Sequence, residues 1–302
     1  GLATFIHFTA KKQQRPDITL AINDIVQTLM TQFKVESKSE HFRALTDAVT
    51  VLTQLDAHNA NTNNYALQQL KQGNTEPAKQ VFANWLGHQT SRESAAKPLA
   101  AAARHLGALA HLNSTTAAFN AYRQAVKLDP DNPDGWIQLG HVLKSIGEFD
   151  KAQNAYEKVL NWAEIRKNDE YRAIAYNHLG ILYWTRGDIQ NSEEMHLNSL
   201  TINQTLGRKK GMAKQYGNLG ILYRVRGELQ KAEQMFLKAL EIDQDLNRQE
   251  DLARQYGNLG NLYNAMGNMQ KAEEMFRHSL QIDQSLKGRE GGKTDLQLAE
   301  LM

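Results

Sequence analysis

Cysteine is absent from the 302 residues, which excludes disulfides, thiolate metal sites and cysteine nucleophiles and leaves the redox compartment open. An excess of one charge is also lacking. Lys and Arg number 35 against 33 Asp and Glu, a net charge of +2, so no one-signed field exists to draw nucleic acid, and nucleic acid is not an expected partner. Long apolar runs are missing too. The start, Gly1 to Ala10, carries His7 and is about half the ~20 residues that a membrane-crossing helix needs. Its basic cluster of Lys11, Lys12 and Arg15 follows the apolar stretch, the reverse of a signal peptide. A truncated stub of a longer membrane anchor stays open. The basic residues after such a stub would keep everything downstream in the cytoplasm, on the inner face of a membrane. With 41% hydrophobic and 23% charged residues, the chain has the composition of a folded protein, not of a disordered one.

What the sequence does have is a period. Tyr176, Tyr216 and Tyr256 lie 40 residues apart, as do Leu179-Gly180, Leu219-Gly220 and Leu259-Gly260, and as do Gly187, Gly227 and Gly267. A fixed period of this length signals stacked supersecondary units. Each copy divides at its turn glycine into two stretches with 3.6-residue apolar periodicity. Tyr216, Leu219, Gly220 and Tyr223 form the stripe of a first helix, and Ala232, Met235, Phe236, Ala239 and Leu240 that of a second. Gly220 costs about 1 kcal/mol against alanine inside a helix, so its recurrence predicts a neighbouring helix too close for a side chain, with Ala232 as the matching small residue. Gly227 predicts a left-handed stop to the first helix.

The same order of residues recurs upstream at ordinary spacing: Trp136, Leu139-Gly140, Leu143, Gly147, Ala152, Tyr156 and Val159, entered through Leu128 to Pro133. Looser copies hold Leu106-Gly107, Ala118, Tyr122, Ala125 and Pro130, and then Gly73, Ala78 and Phe82. This pattern resembles the tetratricopeptide repeat. The 40-residue copies resemble its elongated subclass, seen in kinesin light chain and the Leu-Gly-Asn mitotic adaptors, and most closely a group of bacterial tetratricopeptide proteins. The resemblance implies an all-α, right-handed superhelical solenoid of helix-turn-helix units preceded by a helical segment. About six repeats are expected over 61–94, 95–132, 133–169, 170–210, 211–250 and 251–290, with a closing helix at 291–302, so that 61–302 is the array and 1–60 the N-terminal segment. In that segment Ile18, Ile22, Ile25, Leu29 and Phe33 share one face. Phe42, Leu45, Val49 and Leu52 have a heptad-like 3, 4, 3 spacing that admits either a coiled coil or packing onto the first repeat.

In arrays of this family the first helix of each pair lines the concave groove, so its outward residues are candidates for contact with a guest. They are Gln138, His141 and Lys144; Asn177, His178 and Trp184; Lys214, Asn218 and Arg224; and Arg254, Asn258, Asn261 and Asn264. Asparagine is a poor helix-interior residue, so its recurrence asks for a reason beyond propensity. An amide offers donor and acceptor together and pairs with an extended backbone without specifying its sequence. Neighbouring Lys and Arg would favour an acidic guest, and Arg224 is suited to bidentate carboxylate recognition. The expected function is therefore binding of a protein or peptide segment. The alternative is an oligomerising or membrane-anchored scaffold driven by the N-terminal segment.

Motifs for chemistry fail on spacing. In Gly288 to Thr294 three residues separate Gly288 from Gly292, the glycine before the lysine, where a phosphate loop needs four and a preceding strand. In Asp129 to Asp134 a proline replaces the third calcium ligand and an aspartate the turn glycine. The ten histidines include no metal pair on one helix turn, and no Gly-x-Ser-x-Gly elbow occurs. His196 stands where Phe236 and Phe276 stand in the next copies and is expected to be packed. Glu193-Glu194, Glu233 and Glu273-Glu274 repeat with the period, which points to helix surface. No catalytic residue, metal, cofactor or small-molecule substrate is expected.

Overall fold

The computed structural model describes residues 16–34, 40–54, 60–88 and 96–300. The apolar start with its basic cluster lies outside them, so the anchor reading does too. Among the described residues there are fourteen helices and no strand. They are α1 (Pro16–Phe33), α2 (Glu40–Gln54), α3 (Ala60–Lys71), α4 (Glu76–His88), α5 (Ala96–His111), α6 (Thr115–Leu128), α7 (Pro133–Ser145), α8 (Phe149–Ile165), α9 (Asp169–Thr185), α10 (Ile189–Thr205), α11 (Lys209–Val225), α12 (Leu229–Asp245), α13 (Gln249–Ala265) and α14 (Met269–Glu300). No helix among the described residues is long and apolar enough to cross a membrane. The chain divides into two compact units, residues 1–162 and 163–302.

The helix pairs form for the reason the glycines predict. A Cβ on Gly220 would lie 2.5 Å from the Phe236 ring, and one on Gly260 2.6 Å from Phe276. The same close approach joins Gly107 to Tyr122 and Gly140 to Tyr156. Each hairpin thus closes by pressing a ring onto bare backbone, and Ala232 and Phe236 are fully buried beside it. Gly227 turns with φ 78°, a conformation in which other side chains are strained. Between hairpins of the second unit the chain reverses at Gly207 and Asn247, with φ 63° and 50°. Asparagine and aspartate caps start several helices: Asn132 accepts from Gly135 N, Asn168 from Tyr171 N and Asp188 from Asn191 N. The Asp129 to Asp134 segment is a turn between α6 and α7, with Trp136 Nε1 donating to Pro130 O at 2.8 Å.

In the first unit, Leu45, Val49 and Leu52 of α2 are buried at 0–1% exposure. They share one apolar cluster with Ile25 and Leu29 of α1, Phe82 of α4 and Leu109 of α5. The heptad-like stripe is therefore occupied within the unit.

In the second unit α10 packs on α11, α12 on α13, and α11 touches α13. Where a separate closing helix is expected at 291–302, the backbone instead runs on as part of the 32-residue α14 to Glu300. The Gly288 to Thr294 segment lies inside this helix and forms no loop.

Candidate functional site: an amide and cation stripe held by buried polar ties

Within the second unit, α11 and α13 bring their candidate residues together. Lys214 and Arg254 are exposed at equivalent positions, Asn218, Arg224 and Asn258 are half-buried, and Asn261 and Asn264 are exposed. Asn218 Nδ2 has no acceptor among the described residues. Its counterpart in the next copy, Asn258 Nδ2, has only a long 3.4 Å contact to Gln255 Oε1. Arg254 pairs with Asp251 on its own helix while its side chain stays 55% exposed.

On α9 the expectation fails for two residues. Asn177 and His178 are 4% and 6% exposed, turned into the hairpin stack instead of outward. Gln215 causes this for Asn177, because it reaches across from α11 and donates its Nε2 to Asn177 Oδ1 at 3.1 Å. Trp184 is one-third exposed. In the first unit, Gln138, His141 and Lys144 are half-buried on α7, and the His141 ring lies edge-on to Tyr156 at 6.0 Å.

Beneath the stripe lie polar groups that the periodicity alone did not reveal. Gln215 is 2% exposed. Its Nε2 is committed to Asn177, so its Oε1 is left as acceptor, and His196 Nδ1 donates to it at 2.8 Å. That fixes the His196 tautomer. Burial lowers the His196 pKa to about 4; the Gln215 hydrogen bond opposes this and the charge of Lys214 adds to it. His196 is thus packed, as the sequence suggests, and the structure adds that it is neutral, with its ring under Gly180 as Phe236 is under Gly220.

One copy further on, Gln255 Nε2 donates to Asp243 Oδ2 at 3.3 Å, and Arg248 Nη1 donates to Asp243 Oδ1 at 2.7 Å. Arg248 also pairs with Asp251. Asp243 and Asp251 are 0% and 1% exposed, and burial pushes the Asp243 carboxyl up while Arg248 holds it down. A Cβ on Gly217 would meet Gln255 at 3.3 Å, so the missing side chain there seats Gln255 against α11. Gln215 and Gln255 each sit one turn before a groove asparagine, so the buried ties set the register of Asn218 and Asn258. The repeated Gln-Tyr at 215–216 and 255–256 was the available signal.

The periodic glutamates are not simply solvated. Glu193 accepts from Tyr223 at 2.8 Å and Glu233 from Tyr263 at 2.6 Å, each joining one hairpin to the next at a constant offset of 30 residues. Burial, then the bonded carboxylate, pushes both phenols up to about 12, so they remain donors at neutral pH. No group of three or more His, Asp and Glu residues that could hold a metal occurs among the described residues.

Repeated helix pairs, each closed by a ring on a glycine, define an all-α helical-repeat protein. The tetratricopeptide repeat family pattern matches residues 134–205 and 211–285, and a second pattern of the same repeat matches 108–147. Together these span more than half of the chain, which belongs to the tetratricopeptide repeat family.

Among solved structures, BtubC from P. vanneervenii is 24% identical over 70% of this chain and 88% of its own, with a TM-score of 0.59. A kinesin light chain-like repeat protein from Podospora anserina is 18% identical over 65% and 99%, with a TM-score of 0.52. The apo form of RapI is 12% identical over 83% and 100%, with a TM-score of 0.53. These likenesses concern the fold. No curated protein matches the chain in sequence.

Proposed function

We propose that the chain is a protein-interaction module that takes an extended polypeptide segment along the α11 and α13 stripe. The guest's backbone pairs with asparagine amides, and its acidic side chains lie against Lys214, Arg224 and Arg254. The observation that carries this reading is Asn218, whose amide nitrogen has no partner among the described residues although it sits in a stripe of exposed amides and cations. An unpaired, shielded donor costs about 1–3 kcal/mol. A half-turn of the terminal torsion, which is soft in asparagine, presents that donor to a guest carbonyl instead. Arg254 keeps guanidinium donors available beyond the one held by Asp251, and these suit a planar carboxylate.

A peptide library selected on the intact chain should yield extended, acidic sequences. A selected peptide should bind at least tenfold more weakly to the Asn218→Ala, Asn258→Ala double variant, and more weakly in high salt. Affinity unchanged in the double variant rejects the groove. The scaffold alternative gains no support from α2, because its apolar stripe is already buried within its own unit.

A further inference from the structure

One face of α14 repeats the docking imprint of α12 and is left uncovered by the described residues. In the preceding hairpin, Phe236 is 0% exposed because α13 lays Leu259, Leu262 and Tyr263 over it, and the Tyr263 hydroxyl donates to Glu233. The residues one period later on α14 are of the same types. Phe276, Leu280 and Met269 are 42%, 57% and 65% exposed. They line a depression of about 410 Å3 with Ala272, Glu273 and Arg277. Glu273 is the third member of the Glu193 and Glu233 series. Among the described residues no tyrosine bonds to it, and Arg277 on its own helix donates to it at 2.7 Å. Residues 287–300 prolong the same helix and so do not fold back across this face.

Three helices of the chain, α9, α11 and α13, carry one signature: two leucines three residues apart with a tyrosine directly after, at Leu179, Leu182 and Tyr183, at Leu219, Leu222 and Tyr223, and at Leu259, Leu262 and Tyr263. In α11 and α13 the tyrosine reaches the glutamate of the hairpin before it.

We propose that the exposed face of α14 docks an amphipathic helix of another polypeptide bearing this Leu-x-x-Leu-Tyr signature, with the leucines on Phe276 and Leu280 and the tyrosine hydroxyl on Glu273. The occupant follows from continuity: the face repeats an interface that the chain already makes at α12, with Ala272, Glu273, Phe276 and Leu280 at the positions of Ala232, Glu233, Phe236 and Leu240 and Met269 in place of Leu229. An apolar surface of this kind, rimmed by charge, is a typical protein interaction site. The helix-in-groove mode supplies the geometry. Asn264 of the asparagine stripe borders the same depression, whereas Asn218 and Asn258 do not line it, so variants at those two positions distinguish the failure of one assignment from that of the other.

The probe is a fluorescent, helix-stapled peptide of residues 249–266, the helix that covers α12, titrated into the intact chain. Saturable binding is expected, weakened at least tenfold by Leu280→Glu and by Met269→Glu. Both side chains are largely exposed, so these variants keep the fold; Phe276 is left alone because its ring supports Gly260. Replacing the peptide's Tyr263 by phenylalanine should weaken binding several-fold in the native chain and not at all in Glu273→Gln. Three results overturn the proposal. The first is no saturable binding. The second is binding lost in the Asn218→Ala, Asn258→Ala variant but kept in Leu280→Glu, which places the peptide in the groove. The third is a dimer of the native chain that Leu280→Glu dissociates, which makes a second copy the occupant.

Discussion

Replacing His196 by phenylalanine should flatten the acid side of the stability profile. In the native hairpin the imidazole is buried and neutral, its pKa lowered to about 4 chiefly by burial. In the unfolded chain it titrates near the ordinary value of about 6.5. The folded pKa lies below the unfolded one, so in acid the unfolded state takes up a proton that the native state refuses. The stability that this histidine allows is present in full above about pH 6.5 and is lost as pH falls toward 4. Integrating the linkage between those values gives a loss of about 2 kcal/mol on going from pH 8 to pH 5, and about 3 kcal/mol by pH 4. Phenylalanine has no such term, and Phe236 shows that the ring fits over a helix glycine. The variant leaves Gln215 Oε1 without its donor, at a cost of about 1–3 kcal/mol, so it starts no more stable at pH 8, and the slope carries the prediction. Urea unfolding followed through Trp184, which lies in the same unit, measures both proteins from pH 8 to pH 5. Titrations elsewhere, such as that of Asp243, are common to both proteins and cancel in the difference. If the two lose the same stability over that range, His196 is not neutral by burial and the reasoning fails.

Further substitutions test the packing rules. Gly220→Ala should destabilise the second unit by about 1–3 kcal/mol, since its Cβ would lie 2.5 Å from the buried Phe236 ring. Gly257→Ala should stabilise it by up to about 1 kcal/mol through helix propensity, because the nearest atom is Ser279 Oγ at 3.8 Å. Opposite signs in urea titration are the expected outcome, and equal stabilisation would show that propensity and not crowding governs these sites. Tyr263→Phe should cost about 1 kcal/mol, discounted for its partly open setting. It should cost almost nothing in a Glu233→Gln background, as a double-mutant cycle would show.

The hairpins were legible in the sequence because their rule is local and repeated. A glycine three residues before a tyrosine and 16 before an aromatic residue, as at Gly220, Tyr223 and Phe236, fixes pairing through sterics alone. The stripe was legible only in part. Lys214, Arg254, Asn261 and Asn264 occupy exposed positions as expected, but Asn177 and His178 do not, since facing outward depends on what the next hairpin contributes. Gln215 decides the matter for Asn177, and it lies 38 residues away. The Asp243, Arg248 and Asp251 cluster was illegible for a related reason. The preceding copy has Asn203, Arg208 and Gly211 at those positions, so no single repeat displays the compensation. Only the folded pair shows that Arg248 bridges two carboxylates at once.

That divergence bears on how the stripe works. Solenoid stability is the sum of hairpin stabilities and nearest-neighbour interfaces, and in the second unit the interfaces differ in kind. The α10–α11 junction is tied by neutral amides and an imidazole, Asn177, Gln215 and His196. The α12–α13 junction is tied by two buried carboxylates and an arginine. Burying charge does little for stability against apolar packing of the same volume, whereas breaking such a cluster is costly. The charged junction therefore tolerates less displacement than the amide one. Asn258 and Arg254 grow from the charged junction, Asn218 and Lys214 from the amide junction. Under strain from a guest the α11 side should yield first, which is also where the amide without a partner lies.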